Sequence, residues 1–269
     1  MSTPTTPQKI IVTGATGGMG KQICLTLAEK AKQSNEKISI SALASKPGSA
    51  LDNLIEELQK LGANAYGITA DLTQENQCIN AMETSINMMG GATTLVSNAG
   101  LSRAASISNM ASSDWDLMFN LNAKATWLLS KTAYPALKES KGSIVAIASM
   151  SGMYPHPGLG AYSASKAALL MLCRQLAQEW STDRIRVNTI SPGMIRTPLT
   201  ESLYQDESIL EKRLGIIPMG RIGSVFDIAE AVSYLTSPAA SYITGENIKI
   251  DGGFTDRLLG TIPGRTAAK

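Results

Sequence analysis

Tyr162 and Lys166 stand four residues apart in Tyr162-Ser163-Ala164-Ser165-Lys166, a spacing that puts a phenol and an ammonium on one face of a helix. The chemistry open to them is proton transfer. Bringing a phenol from its ordinary range to neutrality takes about 4 kcal/mol, and one ammonium about 4 Å away at an effective dielectric near 20 supplies about that much. The pairing predicts that Lys166 lowers the phenol and makes Tyr162 a general acid/base; on a solvated helix face the same two residues do nothing. Ser149 precedes Tyr162 by 13 residues at the end of a β-type run, where a hydroxyl can meet a substrate carbonyl in the same crevice. Asn122, in Phe119-Asn120-Leu121-Asn122, falls inside a long helical pattern. A polar residue of that kind is costly there unless its amide or the adjacent backbone serves a network; an exposed surface Asn is the alternative.

Earlier in the chain, Thr13-Gly14-Ala15-Thr16-Gly17-Gly18-Met19-Gly20 joins a strand-like run to an amphipathic helix. Glycine lets backbone approach a pyrophosphate, and a helix N-terminus offers free N–H groups and partial positive charge. The segment predicts a dinucleotide site; a tight turn without a ligand is the plainer alternative. Its glycines, Gly14, Gly18 and Gly20, are spaced Gly-x-x-x-Gly-x-Gly and not Gly-x-Gly-x-x-Gly. Asp71, in Ala70-Asp71-Leu72, and then Ser97-Asn98-Ala99-Gly100 follow two later strand-like runs, along the path of an adenine and its ribose.

The elements that must position these residues alternate. Strands are expected at Lys9 to Thr13, Ile38 to Ala42, Ala65 to Thr69, Thr94 to Ser97, Ser143 to Ser149, Arg186 to Ser191 and Asn247 to Ile250. Helices are expected at Gly20 to Gln33, Ser49 to Leu61, Gln74 to Met88, Ser112 to Glu139, Ala161 to Thr182 and Val225 to Ser237, where apolar residues recur at three and four. This order predicts an α/β, three-layer, doubly wound Rossmann fold: one domain with a mostly parallel sheet of about seven strands and its ligand beyond the strand C-termini. The expected divisions are a flexible lead at 1–8, the folded unit at 9–255 and a tail at 256–269. An irregular segment at 191–223, helical near Glu201 to Arg213, reads as a loop covering the substrate.

Composition narrows the partners. The 24 Lys and Arg against 22 Asp and Glu leave a net charge of +2, so no basic excess points to nucleic acid or anionic lipid. Cys24, Cys78 and Cys173 are odd in number and scattered, which argues against a disulfide framework and a metal site and for a reducing compartment. With no apolar stretch near the roughly 18 residues of a membrane span, the expected location is the cytoplasm and the expected partner a small molecule.

On these residues the sequence resembles the short-chain dehydrogenase/reductase family, from about Lys9 to Thr255. The family's glycine motif is similar to Thr13 to Gly20, and its adenine-contacting Asp to Asp71. Its Asn-Asn-Ala-Gly is similar to Ser97 to Gly100, with Ser97 departing from the first Asn, and its catalytic tetrad to Asn122, Ser149, Tyr162 and Lys166. Arg186 to Gly193 with Thr197 resembles the segment that holds the nicotinamide carboxamide, and Ile243-Thr244-Gly245 with Asp251-Gly252-Gly253 the last strand and turn. The resemblance implies an NAD(P)(H)-dependent oxidoreductase that moves a hydride between nicotinamide and a carbonyl or secondary alcohol. Tyr162 would pass the proton, Ser149 orient the substrate oxygen, Lys166 hold the nicotinamide ribose, and Asn122 support a water linking Lys166 to solvent. The implied cofactor contacts are Gly14, Thr16, Gly18, Met19, Gly20, Asp71, Leu72, Asn98, Ala99, Gly100, Tyr162, Lys166, Pro192, Gly193, Ile195 and Thr197, and the implied assembly is a homotetramer or homodimer. Two rival readings stand beside it. An epimerase or dehydratase on the same scaffold more often carries Gly-x-x-Gly-x-x-Gly and a larger C-terminal region, and a non-catalytic dinucleotide sensor typically loses the Tyr or the Lys.

NAD is commonly selected by an acid at the end of the second strand. Here that stretch is Ile40-Ser41-Ala42-Leu43-Ala44-Ser45-Lys46, without a carboxylate, since Glu36 falls before the strand. Ser45 and Lys46 suit a 2′-phosphate, which favours NADP(H) over NAD(H), although the glycine loop lacks the basic residue of many NADP-dependent relatives. Met150, Met153, Tyr154, His156, Leu159, Met194 and Leu199 are the candidate substrate walls. His156 reads either as a contact to a substrate hydroxyl or as an exposed loop imidazole. Arg103 and Arg196 read as partners of an acidic substrate group or as ordinary paired arginines. The apolar run Phe254 to Ile262 reads as a segment docking on a neighbouring subunit or folding over its own site.

Overall fold

The computed structural model describes residues 7–261. Seven parallel strands form one sheet in the order β3-β2-β1-β4-β5-β6-β7. They are β1 (Gln8–Thr13), β2 (Ile38–Ala44), β3 (Asn64–Thr69), β4 (Thr94–Ser97), β5 (Ser143–Ile147), β6 (Arg186–Pro192) and β7 (Asn247–Ile250). The central β4 and β5 are buried throughout, as parallel strands covered on both faces must be. Strand order reverses between β1 and β4, so the crevice of a doubly wound sheet opens above that pair.

One face is covered by α1 (Gly18–Gln33), α2 (Ser49–Lys60) and α9 (Val225–Thr236), which close a core with Ile10, Val12, Leu54 and Val232. The other face carries α3 (Glu75–Met89), α5 (Ala125–Ser140) and α6 (Tyr162–Trp180), packed on Ile11, Leu95, Leu129 and Leu169. The long helix expected from Ser112 to Glu139 is divided: α4 (Ser112–Phe119) passes into a π-helical turn at Asn120–Lys124 before α5 begins. The expected fifth strand also stops early, at Ile147, which leaves Ser149 in the connection. The covering segment contains α7 (Glu201–Tyr204) and α8 (Glu207–Ile216). Its far end is pinned by a two-pronged pair between Arg221 and Asp227, 2.7 and 2.8 Å, and Asp227 closes a capping box with Ser224 at the start of α9.

Gln8, assigned to the lead, is already strand; the remainder of that lead up to residue 6, and Ile262 of the tail, lie outside the described residues. Phe254–Asp256 and Leu258–Thr261 form 3-10 turns. Among the described residues no helix is long and apolar enough to cross a membrane.

Candidate active site

The glycine turn follows β1 directly. Gly14 adopts φ +62°, a conformation an L side chain resists, and a Cβ on it would lie 3.0 Å from the Cα of Ala99. Thr13 joins the two strand ends beneath: its hydroxyl accepts from the N–H groups of Asn98 and Ala99, both at 2.9 Å, while the Asn98 amide donates to the carbonyls of Thr13 and Gly14 at 3.0 and 3.2 Å. Ser97, the departure from the family's pattern, bonds Thr126 of α5 at 2.7 Å.

Three features fit a dinucleotide. The N-terminus of α1 has no side-chain cap and no acid in its first turn, so its N–H groups and positive end face the turn. The Asn98 Oδ1 is buried with no partner among the described residues, an acceptor that suits a ligand hydroxyl or a bound water. A Cβ on Gly18 would come within 2.8 Å of Pro198 and 3.2 Å of Thr197, so the implied carboxamide loop closes over the glycine turn. In that loop Ile195 pairs with Gly223 as an isolated bridge, and its carbonyl accepts from Thr200 at 2.9 Å. Ser45 and Lys46 follow the end of β2 and are exposed. Glu36 accepts from Gln8 at the N-terminal end of the strands, away from any ribose in the crevice. Asp71 uses one carboxylate oxygen to hold the amide and hydroxyl of Thr73 at 3.0 and 2.7 Å, beside the buried Leu72.

Asn122 is 1% exposed, which excludes the surface-Asn alternative. Its Oδ1 accepts from Leu101 N–H, and its Nδ2 donates to Leu101 C=O and to Ser165 Oγ, all at 2.9 Å. The π turn supplies the extra residue that swings this side chain inward. Both Nδ2 protons are engaged, which leaves the second lone pair of Oδ1 and the backbone of the turn for any link from Asn122 towards Lys166.

Ser149 caps the 3-10 turn Met150–Gly152, accepting from Ser151 N–H at 3.1 Å. Tyr162 opens α6, partly buried and with its phenol beside the Ser149 hydroxyl, and Lys166 lies one turn on, Nζ 5.9 Å from the phenol ring centre. The expected electrostatics are not met. Burial pushes the Tyr162 phenol up, with the Ser149 hydroxyl pulling the other way, because phenolate loses more hydration than phenol. The Lys166 ammonium does not offset this: Nζ turns to the Ile147 carbonyl at 2.7 Å, and burial brings its own value down to about 8. Gly100 makes room for it, since a Cβ there would sit 3.2 Å from Lys166 Nζ and 3.1 Å from Asn122 Oδ1.

The substrate walls divide. His156 and Tyr154 are exposed on the connection before α6, and Leu199 is 93% exposed. Met153 directs its sulfur to Asn247 of β7. Met194 borders a cavity of about 400 Å³ with Met219, Lys249 and Asp251, whose lining includes neither Ser149 nor Tyr162. Arg103 lies 3.9 Å from Asp114 and Arg196 3.0 Å from Glu201, so both guanidiniums are paired. Reasoning from sequence missed Ser165, which accepts from Asn122 and donates to the Tyr162 carbonyl at 2.8 Å. It also missed Met110, whose sulfur takes the Ala161 N–H at 3.2 Å. Neither carries a pattern of its own; only the meeting of the π turn with α6 exposes their part.

A family model described as enoyl-(acyl carrier protein) reductase matches residues 14–255. The chain is 34% identical over 244 residues to 3-oxoacyl-(acyl-carrier-protein) reductase FabG of Thermotoga maritima, covering 90% of this chain and 96% of that one. The chain belongs to the short-chain dehydrogenase/reductase family. Solved structures agree: a 7α-hydroxysteroid dehydrogenase complexed with NADH and 7-oxo glycochenodeoxycholic acid superposes at TM-score 0.84 with 31% identity, covering 91% of this chain and 93% of that one. The Pseudomonas aeruginosa RhlG/NADP active-site complex does so at 0.84 with 29% identity, covering 92% and 96%. As a short-chain dehydrogenase/reductase the chain is an NAD(P)-dependent oxidoreductase acting on CH–OH or C=O groups of small molecules.

Proposed function

We propose that the chain, with 9–255 as its catalytic unit, reduces a carbonyl or oxidises a secondary alcohol with Tyr162 as general acid/base. The observation that carries this reading is the partly buried Tyr162 with its phenol beside the Ser149 hydroxyl, and Lys166 one helical turn away beneath Gly100. Bound nicotinamide supplies or accepts the hydride. Ser149 donates a hydrogen bond to the substrate oxygen. Tyr162 holds the proton that this oxygen needs, and burial keeps the proton on the phenol until the oxygen becomes negative. Lys166, drawn from the Ile147 carbonyl, holds the nicotinamide ribose, and the π turn at Asn122 supports the water behind it. Gly14, Thr16, Gly18, Met19 and Gly20 cradle the pyrophosphate. Asp71, Leu72, Asn98, Ala99 and Gly100 border the adenosine and nicotinamide riboses, and Pro192, Gly193, Ile195 and Thr197 the carboxamide.

NADP(H) is favoured over NAD(H), because β2 is followed by exposed Ser45 and Lys46 with no carboxylate. Exposed Trp115, Trp127 and Met171 on α4, α5 and α6 support assembly as a homotetramer or homodimer, and free, buried Cys24, Cys78 and Cys173 suit the cytoplasm. Tyr162→Phe tests the central assignment: activity should fall by about 10²–10⁴-fold while cofactor binding, followed by nicotinamide fluorescence, persists. Turnover close to the parent contradicts it.

A further inference from the structure

We propose that His156 reads a hydroxyl on the substrate, remote from the reacting carbon, so that the enzyme selects hydroxylated ketones and the corresponding polyols over plain ketones. This rests on the oxidoreductase reading above. His156 is the chain's single histidine and lies, exposed, on the connection from Ser149 to Tyr162. Its Nδ1 is 3.0 Å from the hydroxyl of buried Ser151, and the Ser151 N–H donates to Ser149 Oγ at 3.1 Å. Two hydrogen bonds therefore tie the imidazole to the hydroxyl that orients the reacting oxygen.

The backbone around the ring is also held. Pro155 and Pro157 flank it and restrict the chain on both sides. Gly158, at φ +83°, turns its carbonyl to Ala105 N–H at 3.0 Å, and Leu159 bridges Ala105. With Nδ1 engaged, the ring offers Nε2 as donor or as acceptor, according to which partner carries the shared proton. A hydroxyl does both, so it answers either tautomer. An anionic substrate would draw on a guanidinium, and the Arg103 and Arg196 side chains lie instead in exposed pairs with Asp114 and Glu201 at 3.9 and 3.0 Å. A neutral polar group is the better match.

The test uses full-length enzyme and a matched pair of ketones that differ by one hydroxyl two or more carbons from the carbonyl. The native enzyme should prefer the hydroxylated member, mainly through KM. In His156→Phe the ratio of kcat/KM between the two should fall about tenfold, as expected for losing one neutral hydrogen bond. His156→Gln, whose amide also donates and accepts, should recover part of the ratio, and Ser151→Ala, which frees the ring, should give an intermediate value. A role confined to folding would lower both substrates alike and leave the ratio unchanged. An unchanged ratio, no native preference for the hydroxylated member, or a preference for a carboxylate-bearing analogue overturns the proposal. Failure of the underlying reading looks different: the native enzyme then reduces neither ketone with either cofactor, and both conclusions fall together.

Discussion

Replacing Lys166 by Met should stabilise the protein while abolishing its chemistry. Lys166 is 3% exposed, and burial lowers its amine from 10.5 to about 8. A fall of that size means that the folded state binds the proton about 3 kcal/mol less favourably than the unfolded chain. Below about pH 8 both states are protonated, and the full cost of the buried ammonium is present. From there to about 10.5 the folded state has released the proton while the unfolded state keeps it, so stability rises with pH. Above that range the cost is gone. Lys166→Met keeps the length and removes the charge, but it also forfeits the bond to the Ile147 carbonyl, worth about 1–3 kcal/mol for a charged donor. The net gain expected at pH 7 is about 1 kcal/mol. Urea denaturation of both proteins without cofactor, at equal protein concentration because assembly shifts apparent stability, measures it at pH 7 and again near pH 10.5. The variant should be more stable at pH 7 and lose that advantage at alkaline pH. A difference that does not change with pH would refute the reasoning, because it would mean that no buried charge is being held at a cost to folding.

Asn122→Ala should destabilise by about 2–4 kcal/mol, since three hydrogen bonds go and the partly buried Leu101 backbone loses both of its partners on Asn122; thermal unfolding reads the loss, which should exceed that of Ser165→Ala. Gly18→Ala should weaken cofactor binding, because its Cβ would force Pro198 and Thr197 outward, and titration of nicotinamide fluorescence gives the change in Kd. Lys46→Glu should move the kcat/KM preference from NADPH toward NADH by tenfold or more, and comparable efficiency of the parent with both cofactors would end the preference. Because burial holds the Tyr162 phenol above its ordinary value and brings the Lys166 amine down to about 8, kcat/KM for ketone reduction should stay level through neutral pH, a break near pH 8 belonging to Lys166 and the phenol ionising only in strongly alkaline solution. A decline beginning near neutrality would show that Lys166 governs the phenol in the working complex.

The strands and helices of this chain were legible because burial imposes periodicity. Buried parallel strands read as short apolar runs and surface helices as recurrences at three and four, so seven strands and their order along the chain followed from local pattern. The placement of Tyr162 and Lys166 one helical turn apart was legible as spacing, and the glycine turn as composition. Electrostatics was not, because a pairwise estimate at 4 Å ignores hydration lost by both partners; the crevice raises the phenol and lowers the amine together. The π turn was hidden for a related reason: a helix with one extra residue keeps an apolar stripe close to the ordinary one, and only the demand of Leu101 and Ser165 for the Asn122 amide exposes the shift. Sequence alone, then, determined which groups are present and which elements carry them, since both depend on neighbours along the chain. Tertiary structure decided in which direction burial moves each titrating group and which residues bridge the elements, since these depend on burial and on partners that chain order does not record.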